Sequence, residues 1–501
     1  MNSKFKLKAT ELGAFAAKAA IQSLNKTVPI DSVIFGNVCQ TDTTCAYLAR
    51  HVGLRAGLPI ETPALTINRL CGSGFQAVIS AVQEIRTGDS NIVLTGGTEN
   101  MSQSGYNLSA SIRWGTRYGS DLKLEDSLAA TLIDQYPTKT PMGVTAENLA
   151  KKYNITREAA DEYALTSQKR WDAANSAGRF HDEITPVEIK IKNGTVSFNK
   201  DEHARPQTTA EQLAKLPTVF KKDDGVVTAG NASGISDGAG AIIVASSHAV
   251  ESHGLKPLAR IVSYHVSGVE PTIMGIGPVP AIKGALQKAK LNLSDIGLIE
   301  VNEAFAPQYL AVEKELGLNR EITNTNGAIA LGHPLAASGS RILGHLTYEL
   351  RRTNIQYAIG SACIGGGQGI AIIIERDQAD LEKHLCHRDR AKMVPSLFLE
   401  HSINSNLLTQ VLAAWHETRL IMIRPMNILI EITNLEYMTC VLRETIQSLN
   451  LGKSKEKDAS NNSPTGLQLK NAILRLAVSG IPLPNEVFHR TIEPPADPLA
   501  K

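Results

Sequence analysis

Two cysteines set among glycines, one histidine and one Asn-Glu step are the residues of this 501-residue chain whose types and spacing could do chemistry. The stretch "RLCGSGFQAV" (69–78) puts Cys71 ahead of Gly72, Ser73 and Gly74; Phe75, Val78, Ile79, Val82 and Ile85 then follow helical spacing up to Gly88. The spacing predicts a helix with Cys71 at its mouth. Unpaired amides and the helix dipole favour an anion there, which predicts a thiol lowered toward neutrality and so a nucleophile. Gly72 and Gly74 are expected to let a substrate approach the backbone. Taken alone, the same cysteine reads more readily as a small buried residue in a tight turn. "CIGGGQG" (363–369) presents Cys363 before three glycines. A dinucleotide-binding loop would have to open a helix, whereas the following "GIAIIIER" reads as a strand, so the segment is expected to be strand-turn-strand. "ALGHPL" (330–335) holds His333 between Gly332 and Pro334, where Pro restrains the preceding residue to an extended conformation, making the imidazole a candidate base. "VNEAFA" (301–306) sets Asn302 and Glu303 just past an apolar strand, the edge at which open α/β sheets bind ligands. Each of these also has a packing or capping explanation on its own.

The elements that must position these residues alternate between short apolar runs and amphipathic helices, the pattern of an α/β fold with a largely parallel core. Strands are expected in "DSVIFGNV" (31–38), "NIVLTGG" (91–97), "GAIIVAS" (240–246), "ARIVSYHVSG" (259–268) and "DIGLIEVNE" (295–303). Helices are expected in "ELGAFAAKAAIQSL", "FQAVISAVQEI" and "VPAIKGALQKA". From about 100 to 225 the texture turns polar and charged, including "TREAADEYALTSQKRWDAANSAG", which suggests an inserted loop domain. Beyond about 377 the alternation fades into a mainly helical tail with the low-complexity linker "GKSKEKDASNNSPTG" (452–466). An apolar fraction of 43% suits a large globular core, and 51 Lys and Arg against 49 Asp and Glu leave no field drawing the chain to nucleic acid or membrane. Six cysteines without framework spacing suit a reducing compartment. The most apolar stretch, "LIMIRPMNILIEI" (420–432), is too interrupted for a membrane helix. Lys4, Lys6 and Lys8 fit either a targeting element or an exposed basic end.

Together the motifs have a specific match. Over nearly all of residues 8 to 376 the chain resembles the thiolases, most closely their mitochondrial 3-ketoacyl-CoA branch. The resemblance rests on "NRLCGSGFQAV", "GGTENMSQ" (96–103), "EHARPQTT" (202–209), "VTAGNASGISDGAGA" (227–241), "IMGIGPVPAI" (273–282), "VNEAFAPQ" (301–308), "GHPLAASGSR" (332–341) and "CIGGGQG". It implies two similar βαβαβαββ halves in a five-layered αβαβα core, spanning 1–250 with the loop domain inserted at about 100–225, and 256–376. Residues 377–501 remain an unassigned extension. It further implies thiolytic cleavage of 3-ketoacyl-CoA by CoA in fatty-acid β-oxidation, a dimer or tetramer, a mitochondrial matrix location, and no metal or redox cofactor, CoA being a substrate. By position, Cys71 matches the nucleophile, Cys363 the proton shuttle, and His333 the base that also helps hold a thioester oxygen beside a water bound by Asn302. The backbone amides of Cys71 and Gly365 match a second oxyanion site, while Arg205, Thr208 and Ser233 match CoA contacts. The alternative class is a thiolase-like protein without catalysis, binding CoA ligands or presenting the tail.

Three features depart from the family pattern. The family's first strand, expected inside the first sheet, is replaced here by "MNSKFKLKA", leaving neighbours with unpaired backbone groups at about 1 to 3 kcal/mol each if buried. "NTNGAIALGHP" has one glycine where two are usual, shortening the loop beneath His333. The tail has no counterpart in the family; its "HLCH" (384–387) is too crowded for a structural zinc site.

Overall fold

The computed structural model describes residues 7–191 and 194–377, together with 420–423 and 428–431. The first half runs α1 (Ala9–Gln22), β1 (Ser32–Gly36), α2 (Leu48–Ala56), β2 (Ala64–Ile67), α3 (Ser73–Thr87) and β3 (Ile92–Asn100). A long excursion follows: β4 (Tyr106–Leu108), β5 (Leu124–Asp126), α4 (Ser127–Thr131), β6 (Ile133–Asp134), β7 (Thr140–Pro141), α5 (Met142–Tyr153), α6 (Arg157–Ser176), β8 (Val187–Ile191), β9 (Gly194–Phe198) and α7 (Ala210–Ala214). The chain returns through β10 (Asp237–Ala245) and α8 (Ser247–His253). The second half is β11 (Ala259–Gly268), α9 (Pro278–Ala289), β12 (Leu298–Val301), α10 (Ala306–Leu316), α11 (Ser338–Thr353), β13 (Tyr357–Ile364) and β14 (Gln368–Arg376). Farther on, β15 (Leu420–Ile423) and β16 (Ile428–Glu431) pair antiparallel within the apolar stretch at 420–432. The remainder of the expected helical tail, its linker and the "HLCH" cluster lie outside the described residues.

The local rules are visible in the sequence. β1 and β3 are buried along their whole length, as strands covered on both faces must be, so they read as apolar runs rather than alternations. α3 ends at Gly88, whose φ of 83° is a left-handed cap that glycine adopts without strain. α9 opens on Pro278, placed where its missing N–H has no helical partner to lose.

Each half builds one sheet. The first has the order β10-β3-β1-β2, with β1 parallel to both β2 and β3 and β10 antiparallel to β3. The second has the order β11-β14-β13-β12, with β12 parallel to β13, and β14 antiparallel to both β13 and β11. Thr323 adds a parallel bridge to Ile299, beside β12 where β2 stands beside β1. Three apolar clusters then fix five layers. One packs α1 and α2 on the outer face of the first sheet, one packs α9 and α10 on the outer face of the second, and one fills the middle with α3 and α11 between the sheets. The five-layered α/β architecture expected from the motifs is therefore present.

One expectation about this frame is corrected. β11, the first strand of the second half, lies at the sheet edge beside β14 rather than in the interior. The corresponding place in the first sheet is the outer side of β10, and no described strand occupies it. A strand missing from that place would leave an edge, whose groups water can satisfy, instead of orphaned groups in the core. Among the described residues, no helix is long and apolar enough to cross a membrane.

Candidate active site

The two central helices bring the catalytic candidates together. α3 and α11 cross at their N-terminal ends, glycine against glycine. A Cβ on Gly74 would stand 2.6 Å from the Ser340 amide nitrogen, and one on Gly339 would stand 2.2 Å from the Phe75 nitrogen. Gly72 likewise faces Ile364 of β13, where a Cβ would come within 2.4 Å of the side chain. The glycines around Cys71 therefore clear space for the second half of the molecule, not for a substrate as the sequence suggested.

Cys71 sits in a short 3-10 turn, Leu70–Gly72, immediately before α3. Leu70 has a φ of 47°, a left-handed conformation unusual for a side chain of its size, so the turn presenting the cysteine stores strain. No sequence signal marks that residue. Cys71 is partly exposed and packs beside Leu335 and Ala336, two and three residues after His333. Burial pushes its thiol up to about 11; hydrogen bonds from the Gly365 and Cys71 amides pull it down, and the Glu99 carboxylate pushes it up. The lowered thiol expected from the helix mouth is thus overturned. Desolvation outweighs the backbone donors, so the resting residue is a thiol whose proton must leave as it attacks.

His333 is buried and holds its imidazole between two side chains. Its Nδ1 lies 2.6 Å from Ser338 Oγ, and the Asn302 amide nitrogen stands 3.4 Å from both ring nitrogens. The Ser338 hydroxyl donates in turn to the Pro334 carbonyl at 3.4 Å, so its oxygen is left to accept from Nδ1–H. That arrangement is compatible with a proton on Nδ1 and a basic Nε2. Burial, with a smaller contribution from the Arg341 charge, pulls the histidine down to about 4. The imidazole is neutral at physiological pH and can accept a proton. The one-glycine loop has not separated His333 from Asn302. Ser338 was missed in the sequence; its only signal was a hydroxyl five residues after the histidine.

Cys363 is the penultimate residue of β13, wholly buried against Met274 and Ala304, with Met142 and Phe305 alongside. The turn that follows is the strand-turn-strand expected, since β13 and β14 pair directly on either side of it. Gly366 and Gly367 take φ of 74° and 76°, and a Cβ on Gly367 would strike the Val269 carbonyl at 2.2 Å. Gly365 aims its amide at Cys71 from this turn. Burial raises the Cys363 thiol well above its ordinary value, and the neighbouring Cys71 raises it further. Cys363 therefore holds its proton.

Glu303, whose neighbour Asn302 reaches His333, is a buried anchor. Its carboxylate accepts from Tyr163, Ser167, Asn324 and the amides of Ala328 and Ile329, tying the excursion to the loop that leads to His333. The CoA candidates sit along that same excursion. The Arg205 amide donates to Gln168 at 2.7 Å, and its carbonyl accepts from the Thr208 hydroxyl at 2.7 Å. The Ser233 hydroxyl donates to the Glu303 carbonyl at 2.5 Å and its amide to the Ala304 carbonyl at 3.0 Å. Ser233 is thus built into the strand end carrying Asn302, while Arg205 and Thr208 form a neighbouring turn.

Known proteins resemble this chain in sequence and in fold. The pattern described as "Thiolase, N-terminal domain" matches residues 2–248 and "Thiolase, C-terminal domain" matches residues 255–376. The chain is 64% identical over 370 residues to the 3-ketoacyl-CoA thiolase, mitochondrial, of Mus musculus, covering 73% of this chain and 92% of that protein. It is 48% identical over 368 residues to the beta-ketothiolase BktB of Cupriavidus necator, covering 73% of this chain and 93% of that protein. The crystal structure of human mitochondrial 3-ketoacyl-CoA thiolase in complex with CoA superposes with a TM-score of 0.72 at 61% identity, over 74% of this chain and 93% of that one. On both its sequence and its fold, this chain belongs to the thiolase family.

Proposed function

We propose that the chain is an acetyl-CoA C-acyltransferase that cleaves 3-ketoacyl-CoA with CoA, giving acetyl-CoA and a shortened acyl-CoA in fatty-acid β-oxidation. The observation that carries this reading is the Gly365 amide from one half directed at the Cys71 thiol of the other, with neutral His333 buried two residues before the Leu335 that packs beside that thiol. Cys71 attacks the keto carbon as its proton passes to Nε2 of His333, and the oxyanion forms against the Cys71 and Gly365 amides. Fixed donors of this kind typically contribute about 100 to 1,000-fold each. The carbon-carbon bond then breaks, its electrons go to the acetyl-CoA enolate, and Cys363 delivers its proton to that carbon. Asn302, with a bridging water, and His333 bind the thioester oxygen of this enolate. The Cys363 thiolate next takes the proton of the incoming CoA thiol, whose sulfur attacks the acyl-Cys71 and returns the acyl group to CoA. His333 gives the proton back to Cys71.

CoA lies along the excursion, with Arg205 pairing phosphate oxygens through its planar fork and Thr208 and Ser233 contacting the remainder. We divide the chain at 1–250, 256–376 and 377–501, with the loop domain inserted at about 100–225. A dimer or tetramer, a mitochondrial matrix location and catalysis without a metal or redox cofactor complete the reading; the names of the relatives support the location.

Mass spectrometry tests it. Incubation with a 3-ketoacyl-CoA adds the shortened acyl mass to the peptide carrying Cys71, and CoA then removes it. A Cys71→Ala variant gains nothing and loses turnover on the order of 10⁶-fold, as removal of a covalent nucleophile does elsewhere. If the wild-type chain takes up no more acyl mass than Cys71→Ala does, the reading fails.

A further inference from the structure

Glu99 is the buried charge that the chemistry above does not use. It lies near the end of β3, wholly inaccessible to solvent. Its carboxylate collects the segment after β1, accepting from Asn37 Nδ2 at 3.0 Å and from the amides of Val38 and Cys39 at 3.2 and 2.9 Å. Its fourth donor comes from the other half of the molecule. The Ala336 amide, three residues beyond His333, donates to it at 3.1 Å. Gly97, two residues earlier on β3, makes that approach possible, because a Cβ there would meet the Ala336 carbonyl at 1.9 Å. One carboxylate thus joins β3 to the turn that follows His333, and that same turn packs against Cys71.

We infer that Glu99 is a positioning residue for acyl transfer: it holds the His333–Ser338 turn in register with Cys71 across the boundary between the halves. The inference rests on Cys71 being the nucleophile. Tyr163, Ser167 and Asn324 satisfy Glu303 in a comparable way, but Glu303 is not among the charges that act on the Cys71 thiol. The groups facing Glu99 are Cys39 beyond β1, Cys71 ahead of α3, and Asp237 on β10. Burial raises the carboxyl of Glu99 to about 7, the Cys39, Ala336 and Val38 amides lower it, and Asp237 adds a smaller upward push. Below that pH the carboxyl gains a proton, loses acceptor capacity, and slackens its hold on the turn.

Two variants separate reach from charge. Glu99→Gln keeps the shape but removes the charge and turns an amide donor toward backbone N–H groups; Glu99→Asp keeps the charge but is one methylene too short to span both segments. Each is assayed for kcat and KM with a 3-ketoacyl-CoA and for the pH dependence of Cys71 alkylation by iodoacetamide. Displacing a catalytic group by about 1 Å costs about 100-fold, so both variants lose 10- to 100-fold in kcat while KM changes by less than about 3-fold. In Glu99→Gln the alkylation profile shifts to lower pH, and the fall in kcat below about pH 7 disappears. In Glu99→Asp the alkylation profile stays with the wild type. Full kcat in Glu99→Gln, or an alkylation profile superimposing on the wild type, overturns the inference. Loss of fold in both variants also overturns it, making Glu99 a stability element. A wild-type chain that forms no acyl-Cys71 would instead remove the function proposed above, a result the adduct experiment reads separately.

Discussion

The two halves share one plan but finish it differently. In the second half β13 and β14 are joined by a three-glycine turn and β14 is covered along its far side by β11; in the first, β3 and β10 are separated by the whole excursion and β10 has no described neighbour on its outer side. Burial follows. β14 is buried from Gly369 to Arg376, whereas in β10 only Val244 is buried. The second half is the more deeply buried platform, carrying Asn302, His333 and Cys363 on strand ends and one short turn. The first contributes Cys71 on a strained turn and a long arm that reaches across to the platform.

The sharpest way to break this pairing is at the contact where the halves touch. Gly74→Ala places a methyl against the Ser340 amide and the Ala336 carbonyl, both backbone atoms that cannot rotate away. We expect destabilisation of about 3 kcal/mol, the upper end for overpacking, and loss of most activity, because Cys71 and the turn after His333 are forced apart. Gly344→Ala, farther along α11 with nothing within 4 Å of the new methyl, is the control and is expected to raise stability by about 1 kcal/mol. Thermal unfolding of both variants checks the pair; equal melting temperatures would mean that the glycine contact does not hold the halves together.

A subtler test asks whether the outer side of β10, unpaired among the described residues, weakens the first sheet. Ile242 and Ile372 both face the central core, opposite Thr95 and Gly360 respectively, but only Ile372 is fully buried. Ile372→Ala is expected to cost about 2 to 5 kcal/mol. Ile242→Ala is expected to cost about half as much or less, since partly exposed methyls leave less cavity behind. Urea midpoints at equal m-value read the difference. Equal losses would show the edge to be covered as thoroughly as β14.

What the sequence made legible follows the same division. Strand β11 was readable to the residue in "ARIVSYHVSG", and α1, α3 and α9 from their spacing, because a periodic apolar face is a local property. Cys71, His333, Asn302 and Cys363 stood out as candidates because the proposed chemistry needs those types beside glycine and proline, and the motifs carried the resemblance. The depth of their burial was not. Whether a thiol at a helix mouth is lowered or raised depends on how much apolar surface the other half lays over it, and no local pattern records that. Glu99 and Ser338 escaped for a related reason: their partners are Ala336 and His333, and the hold of Glu99 on Ala336 exists only once β3 meets a turn more than two hundred residues away. The edge position of the first strand was likewise misread, since sheet order is set by which crossovers pack and not by chain order.

The smallest expected effect concerns the arm. Arg179 pairs with Glu349, and Glu183 accepts at 2.9 Å from the buried His345 of α11, so the excursion is moored to the second half by charge as well as by Glu303. Burial alone would lower His345, but the hydrogen bond and charge of Glu183 overcome it and hold the histidine above its ordinary 6.5. A histidine raised on folding contributes stability that is complete below 6.5 and is lost as the pH climbs through its folded value. The wild-type melting temperature should therefore fall as the pH rises above 6.5. In His345→Gln, which keeps a polar side chain for Asn326 and Glu183 but cannot be charged, that part of the slope should vanish. Parallel slopes in the two proteins would show that the mooring is a neutral hydrogen bond, and that the arm is held by the same pH-insensitive packing as the sheets it crosses.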